Sequence, residues 1–209
     1  YIWDFILSAR FLMLKIKNIV KRVSARDYIN NYRNACRFIE YCKECNKYGT
    51  MWVCPPYRFE PLSRIENYKY VYIVGTKVFI DEVTRHTPTN PQEQKDISYC
   101  IMEETRKGID GRLLGLEKQY PGSLVFFAGS CFLCSKEECT RSKGQECIFP
   151  EKARSSLEAY GFDIARTTSE LLGITLIWSE NLVLPEYFTL VSAVFSDHEI
   201  DLVNFTSLC

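Results

Sequence analysis

KYVYIVGTKVFI, residues 69–80, decides the fold class. Val71, Ile73, Val74, Val78 and Ile80 are β-branched, and Tyr70, Tyr72 and Phe79 are aromatic. Such residues fit a pleated, packed surface, so the stretch reads as a central strand. Upstream, residues 26–41 (RDYINNYRNACRFIEY) place Ile29, Tyr32, Cys36 and Ile39 at helical spacing. The loop CKECNKYGTMWVCPPY follows and is closed by Pro55 and Pro56. Downstream, TPTNPQEQ opens a long helix. Asn90 caps it, Pro91 suits the first turn, and Glu93 completes a capping-box-like arrangement. That helix should run to about Tyr120, where Pro121-Gly122 stops it, with Ile97, Ile101, Ile109, Leu113 and Leu116 as its buried stripe.

Four more elements are expected. SLVFFA (123–128) reads as a short buried strand. Pro150 starts a helix through Ala159, ended by Gly161, and residues 163–172 form another, ended by Gly173. ITLIW (174–178) and YFTLVSAVFS (187–196) read as two further strands. The order predicts an α+β fold: a mixed sheet covered by helices in two layers, with a ferredoxin-like sandwich as the expected topology and cysteine-rich loops at strand ends. Residues 13–209 are expected to form a single domain. Residues 1–12 precede the first Met, Met13, and read as an extension outside the fold.

Lys plus Arg number 26 and Asp plus Glu also 26, so there is no excess of positive charge of the kind nucleic-acid binding needs. The apolar start YIWDFILSARFLMLKIKN carries Asp4 and Arg10 and is too interrupted to span a bilayer or to serve as a secretion signal. The expectation is a cytoplasmic protein that binds neither nucleic acid nor membrane.

The ten cysteines carry the chemistry. CFLCSKEECTRSKGQECIFP, residues 131–150, spaces Cys131, Cys134, Cys139 and Cys147 as C-x2-C-x4-C-x7-C, with a proline three positions after the last. No histidine lies in this loop, so any site there is all-sulfur. Thiolates bind zinc or iron–sulfur clusters. Zinc sites with four cysteines usually pair two C-x2-C knuckles, whereas one contiguous loop resembles a cluster-binding run. A [4Fe–4S] cluster is therefore expected, with zinc as the alternative. A second block, Cys42-x2-Cys45-x8-Cys54, offers three thiolates. Cys36 is the obvious fourth, but on a continuous helix it shares no face with both Cys42 and Cys45. It joins them only if the helix breaks near residue 40. The second site is therefore either closed by four thiolates or open at one position to a side chain, water or substrate. The chain thus holds one or two metal centres. Cys100 reads as a core residue of the long helix, and Cys209 as an exposed thiol.

CKECNKYGTMWVCPP (42–56) and AGSCFLCSKEECTRSKGQECIFPEKARSSLEAYGFDI (128–164) together resemble a cysteine-rich family of predicted metal-binding proteins of unknown function, found mainly in anaerobic bacteria and archaea. The resemblance runs from about Lys15 to the last strand. It implies metal binding, iron–sulfur in particular, and supplies no reaction. The gap between Cys134 and Cys139 is slightly longer than the family pattern.

In ARSSLEAYGFD, Arg154 and Glu158 are four apart and would pair on a helix face. Arg154 and Ser156 could instead face the cluster or an anionic ligand, and they are the candidate cofactor-binding residues. His86 and His198 are not expected to ligate. No Walker loop, G-x-S-x-G, G-x-G-x-x-G or C-x3-C-x2-C motif is present. Three functions fit: an iron–sulfur protein passing electrons to a redox partner protein or a small-molecule substrate, an enzyme using an open metal position at 42–54, or a zinc-stabilised binding module.

Overall fold

The computed structural model describes residues 14–134 and 139–206, so the readings of residues 1–12 and of Cys209 lie outside the described residues. The sheet has four strands: β1 (Lys15–Ser24), β2 (Tyr70–Phe79), β3 (Leu124–Phe126) and β4 (Tyr187–Ser196). Their order is β1-β2-β4-β3, and every pair is antiparallel. The α+β class is as expected. The sheet, however, is antiparallel between all neighbours rather than mixed; β2 and β3 run parallel to each other on either side of β4 and are joined through the helix at Pro91–Gln119, the split βαβ arrangement of a ferredoxin-like sheet. β2 lies between β1 and β4, the central place its composition predicts.

Both faces of the sheet are covered, which makes three layers rather than two. Among the described residues six α-helices accompany it: α1 (Ala25–Tyr32), α2 (Ala35–Lys43), α3 (Glu82–Arg85), α4 (Pro91–Gln119), α5 (Ile164–Arg166) and α6 (Val203–Thr206). On one face Tyr72, Val74 and Val78 of β2 and Leu190 and Val194 of β4 pack on Ile101, Ile109, Leu113 and Leu116 of α4. On the other, Val71, Ile73, Val191, Ala193 and Phe195 pack on Tyr28 of α1 and on Tyr160, Phe162 and Leu172. Strands buried on both faces lose the alternation of a half-exposed strand, and this explains the near-continuous apolar run at 70–79. α4 begins as the sequence dictates: Asn90 Oδ1 accepts from the Glu93 amide at 3.0 Å, and the Glu93 carboxylate accepts from the Thr89 amide at 2.8 Å.

Four expectations change. β1 was not anticipated; its lysines and arginine mask an apolar content that packs partly against both cores, through Ile16 and Val20 on one face and Ile19 and Val23 on the other. The helix expected over 26–41 is two helices. Arg33 is extended and bridges to Phe162, the Asn34 amide donates to the Gly161 carbonyl at 2.8 Å, and the Asn34 side chain then caps α2. Gly161 permits this approach. It sits at φ +87°, and a Cβ there would lie 2.7 Å from the Ala35 Cα. The helix expected from Pro150 to Ala159 is reduced to one 3-10 turn, Glu158–Tyr160. The segment before it is drawn out because the Ser155 carbonyl accepts the Phe127 amide at 3.0 Å and Arg154 pairs with Glu117 instead of Glu158. Finally, 174–178 is not a strand. α5 runs into a π turn, Thr167–Leu172, ended at Gly173 as expected, and the Ile174 amide then closes back on the Thr168 carbonyl at 2.9 Å. Leu172 and Ile174 rest on Gly75 of β2, where a Cβ would come within 2.5 Å of the Ile174 Cδ1.

Candidate metal centre

The two cysteine blocks meet in a small cluster of their own, apart from both main cores. Met51, Val53 and Cys139 are buried in it, and Trp52, Cys54, Cys131, Cys134 and Ala153 pack against them. Cys54 of the first block therefore shares an apolar nest with three thiols of the second. Every described cysteine is a free thiol.

Turns present the first block. α2 runs unbroken past residue 40 to Lys43, and the Cys45 amide then donates to the Cys42 carbonyl at 3.0 Å. This reverse turn is what a C-x2-C spacing needs to bring two thiols to one side. Cys54 follows on a second turn, its amide 3.1 Å from the Met51 carbonyl. Cys42, Cys45 and Cys54 lie close enough to act on each other's charge. Burial pushes the Cys54 thiol up to about 11, the neighbouring Cys45 adds to the rise, and Lys47 and Arg141 oppose it. Burial likewise raises Cys42, with Cys45 and Glu158 contributing. Cys36 is exposed on the unbroken α2. It lines a cleft that Cys42 also lines and is not among the cysteines of the apolar nest.

The second block forms a corresponding group. Burial raises the Cys131 thiol, with Cys147 and Cys139 adding to it and Arg106 opposing. Burial and the adjoining Cys139 and Cys131 push Cys134 up to about 11, with Cys147 also contributing. Cys131 and Cys134 thus each sense the charge of both Cys139 and Cys147. Neutral thiols with raised pKa must lose protons to bind a metal, so occupancy of these groups is coupled to proton release. Among the described residues no three Cys, His, Asp or Glu side chains converge on one ion-sized point. The fit to a thiophilic metal rests on the donor set: seven cysteines in two blocks, of which Cys54, Cys131, Cys134 and Cys139 share one apolar nest.

Arg141 locks the blocks together. Its guanidinium donates to the carbonyls of Met51, Cys54 and Pro56. Trp52 donates its indole N–H to the Gln145 carbonyl at 3.1 Å, with the guanidinium groups of Arg58 and Arg141 each near its ring. The Tyr57 hydroxyl donates to the Val53 carbonyl at 2.7 Å and accepts from the Ser155 hydroxyl at 3.0 Å. Lys47 bonds Ser130, and Arg106 donates to the Ser130 carbonyl at 2.6 Å. Cations therefore flank both thiol groups, where they favour thiolate over thiol.

Arg154 and Ser156 have other partners. The Arg154 guanidinium forks onto Glu117, with Nε 3.0 Å from Oε1, and both side chains are largely buried. Ser156 Oγ accepts the Ala159 amide at 3.3 Å. Sequence reasoning missed Lys47, Arg106 and Arg141 and read Glu158 only as an ion-pair partner. The signal for Lys47 and Arg141 was their place two residues after Cys45 and Cys139. Arg106 gave none, because α4 brings it in from 24 positions away.

The family described as "Predicted metal-binding protein (DUF2284)" matches residues 28–195, a span that holds both cysteine blocks and most of the sheet. No curated protein and no solved structure matches the chain.

Proposed function

The chain belongs to the DUF2284 family of predicted metal-binding proteins, and from that premise we propose that its two cysteine blocks hold iron–sulfur centres, a [4Fe–4S] cluster at Cys131, Cys134, Cys139 and Cys147 and a second centre at Cys42, Cys45 and Cys54. The observation that carries this reading is the shared nest, in which Cys54 packs beside Cys131, Cys134 and Cys139. Clusters so held supply one-electron transfer, and two neighbouring centres suit a protein that passes electrons between a redox partner and a small molecule. The chain's own residues exclude water with Met51, Trp52 and Val53, balance thiolate charge with Lys47, Arg106 and Arg141, and hold the loops in register through the Arg141 fork. Free thiols at every described cysteine suit the cytoplasm, a reducing compartment. Among the described residues no helix is long and apolar enough to cross a membrane.

A second reading has a specific observation behind it. The first block offers three mutually coupled thiols, and Glu158 also acts on Cys42, so the centre there can keep one position for a carboxylate or a substrate.

Anaerobic purification tests the proposal. The expected protein is brown, absorbs broadly near ~400 nm, and contains iron and acid-labile sulfide in equal amounts. Cys131→Ser and Cys54→Ser should each remove only part of the iron. Colourless protein with stoichiometric zinc rejects the redox function, and protein without metal after reconstitution rejects both centres.

A further inference from the structure

β3 is short because it leaves β4 early. Its last pair is Phe126 with Ala193, after which the Phe127 amide turns to Ser155. Residues 128–130 therefore diverge from 189–191, and a cleft of ≈ 290 Å³ opens between them, roofed by α4. Its size lies near the lower end of small-molecule sites, ~300–1,000 Å³.

The wall combines both charges with unpaired polar atoms. Lys47 and Arg106 line it, and Arg106 has a side chain only 9% exposed. Arg106 uses Nη1 on the Ser130 carbonyl and Nη2 on Asp110, leaving Nε buried without a partner. Glu158 Oε2 and Thr189 Oγ1, on two other segments of the same wall, are likewise buried and unpartnered. Leaving such atoms unpaired costs about 1–3 kcal/mol each, so native chains rarely gather several in one place without a use for them. Met102, Phe132 and Leu190 supply apolar surface, and the Arg106 guanidinium lies 4.5 Å from the Phe132 ring.

We infer that this cleft binds a small carboxylic acid that also carries a hydroxyl or amino group and an apolar body. The carboxylate meets Lys47 and Arg106, which recognise anions by charge and by directed N–H donors. The hydroxyl or amino hydrogen meets Glu158 Oε2 and Thr189 Oγ1, the two atoms left unpaired in the free protein. Pairing these atoms with a bound molecule removes the cost of their isolation. The apolar body rests on Met102, Phe132 and Leu190. None of these groups is a thiol, so the inference goes beyond the metal reading and does not depend on it. Lys47 nevertheless connects the two places, since it lines the cleft and acts on Cys54.

Isothermal titration calorimetry of the protein as isolated tests the inference with four probes: 3-phenyllactate, phenylalanine, 3-phenylpropionate, which lacks the donor, and 3-phenylpropanol, which lacks the carboxylate. At least one of the first two should bind saturably, at least fivefold tighter than 3-phenylpropionate and tenfold tighter than 3-phenylpropanol, and which one binds tells whether the donor is hydroxyl or amine. Thr189→Val and Glu158→Gln keep side-chain volume, and Thr189→Val removes a hydroxyl without a partner, so it should fold. In either variant the donor-bearing probe should lose about fivefold while 3-phenylpropionate is unchanged. No saturable binding of any probe to folded protein overturns the inference, as does equal binding of 3-phenylpropanol or a donor advantage that survives both substitutions. Metal content, assayed on the same samples, reports separately on the iron–sulfur reading.

Discussion

Replacing Arg141 by alanine should loosen the cysteine lobe while leaving the sheet intact. The guanidinium holds three carbonyls, those of Met51, Cys54 and Pro56, and so fixes the second block on the first. A buried hydrogen bond from a charged donor contributes ~1.5–3 kcal/mol, but Arg141 is half-exposed and the freed carbonyls can rehydrate. About 1 kcal/mol each is the appropriate figure, or about 3 kcal/mol for the fork. Opening of the lobe should therefore become about 100-fold more frequent. Cys139, 6% exposed beneath the fork, reports it directly. In reduced, metal-free protein its alkylation by N-ethylmaleimide, followed by peptide mass spectrometry, should accelerate about 100-fold, while Cys100 on α4 reacts at its original rate. Arg141→Lys, with one ammonium for three acceptors, should fall between. A change at Cys139 of less than threefold would refute the idea that the fork holds the blocks together, as would equal acceleration at Cys100, which signals global unfolding.

Two further outcomes are expected. Gly161→Ala forces a side chain onto φ +87° and a Cβ to within 2.7 Å of the Ala35 Cα, so it should cost about 3 kcal/mol and lower Tm by roughly 6–12 °C; a melting curve within 2 °C of the parent contradicts that. Asp110 is raised to about 6 because burial outweighs the attraction of Arg106, so from about pH 4 to 6 the folded chain keeps a proton that the unfolded chain releases. Stability should fall as pH rises through that window, by about 3 kcal/mol from this group. Urea unfolding of Asp110→Asn should lack that decline relative to the parent, and parallel pH profiles for the two proteins would reject it.

Local chemistry was legible in the sequence wherever one segment decided its own structure. β2, β4 and the start and stop of α4 follow from β-branched runs and from Asn90, Pro91 and Pro121-Gly122. Two of the failures share a cause, since each rests on a partner distant in sequence. Helix propensity over 26–41 gives way to the Gly161–Asn34 contact, and the helix after Pro150 gives way to Glu117 and Phe127 capturing Arg154 and Ser155. Spacing reads the cysteines as two groups. It did not reveal that the groups adjoin or that Arg141 joins them, because no spacing rule relates residue 141 to residues 51–56.

The register of β2 with β4 has a consequence for biosynthesis. The two strands pair along their whole length, although their residues are more than about a hundred positions apart, and all of the second cysteine block lies between them. A chain emerging from the ribosome therefore exposes the seven cysteines of both blocks before its central ladder can close. High contact order makes that closure slow. During this interval the thiols are open to oxidants and stray metals that the finished nest would exclude. Cofactor insertion, or protection by a chaperone, is best timed to the nascent chain, before β4 completes the sheet.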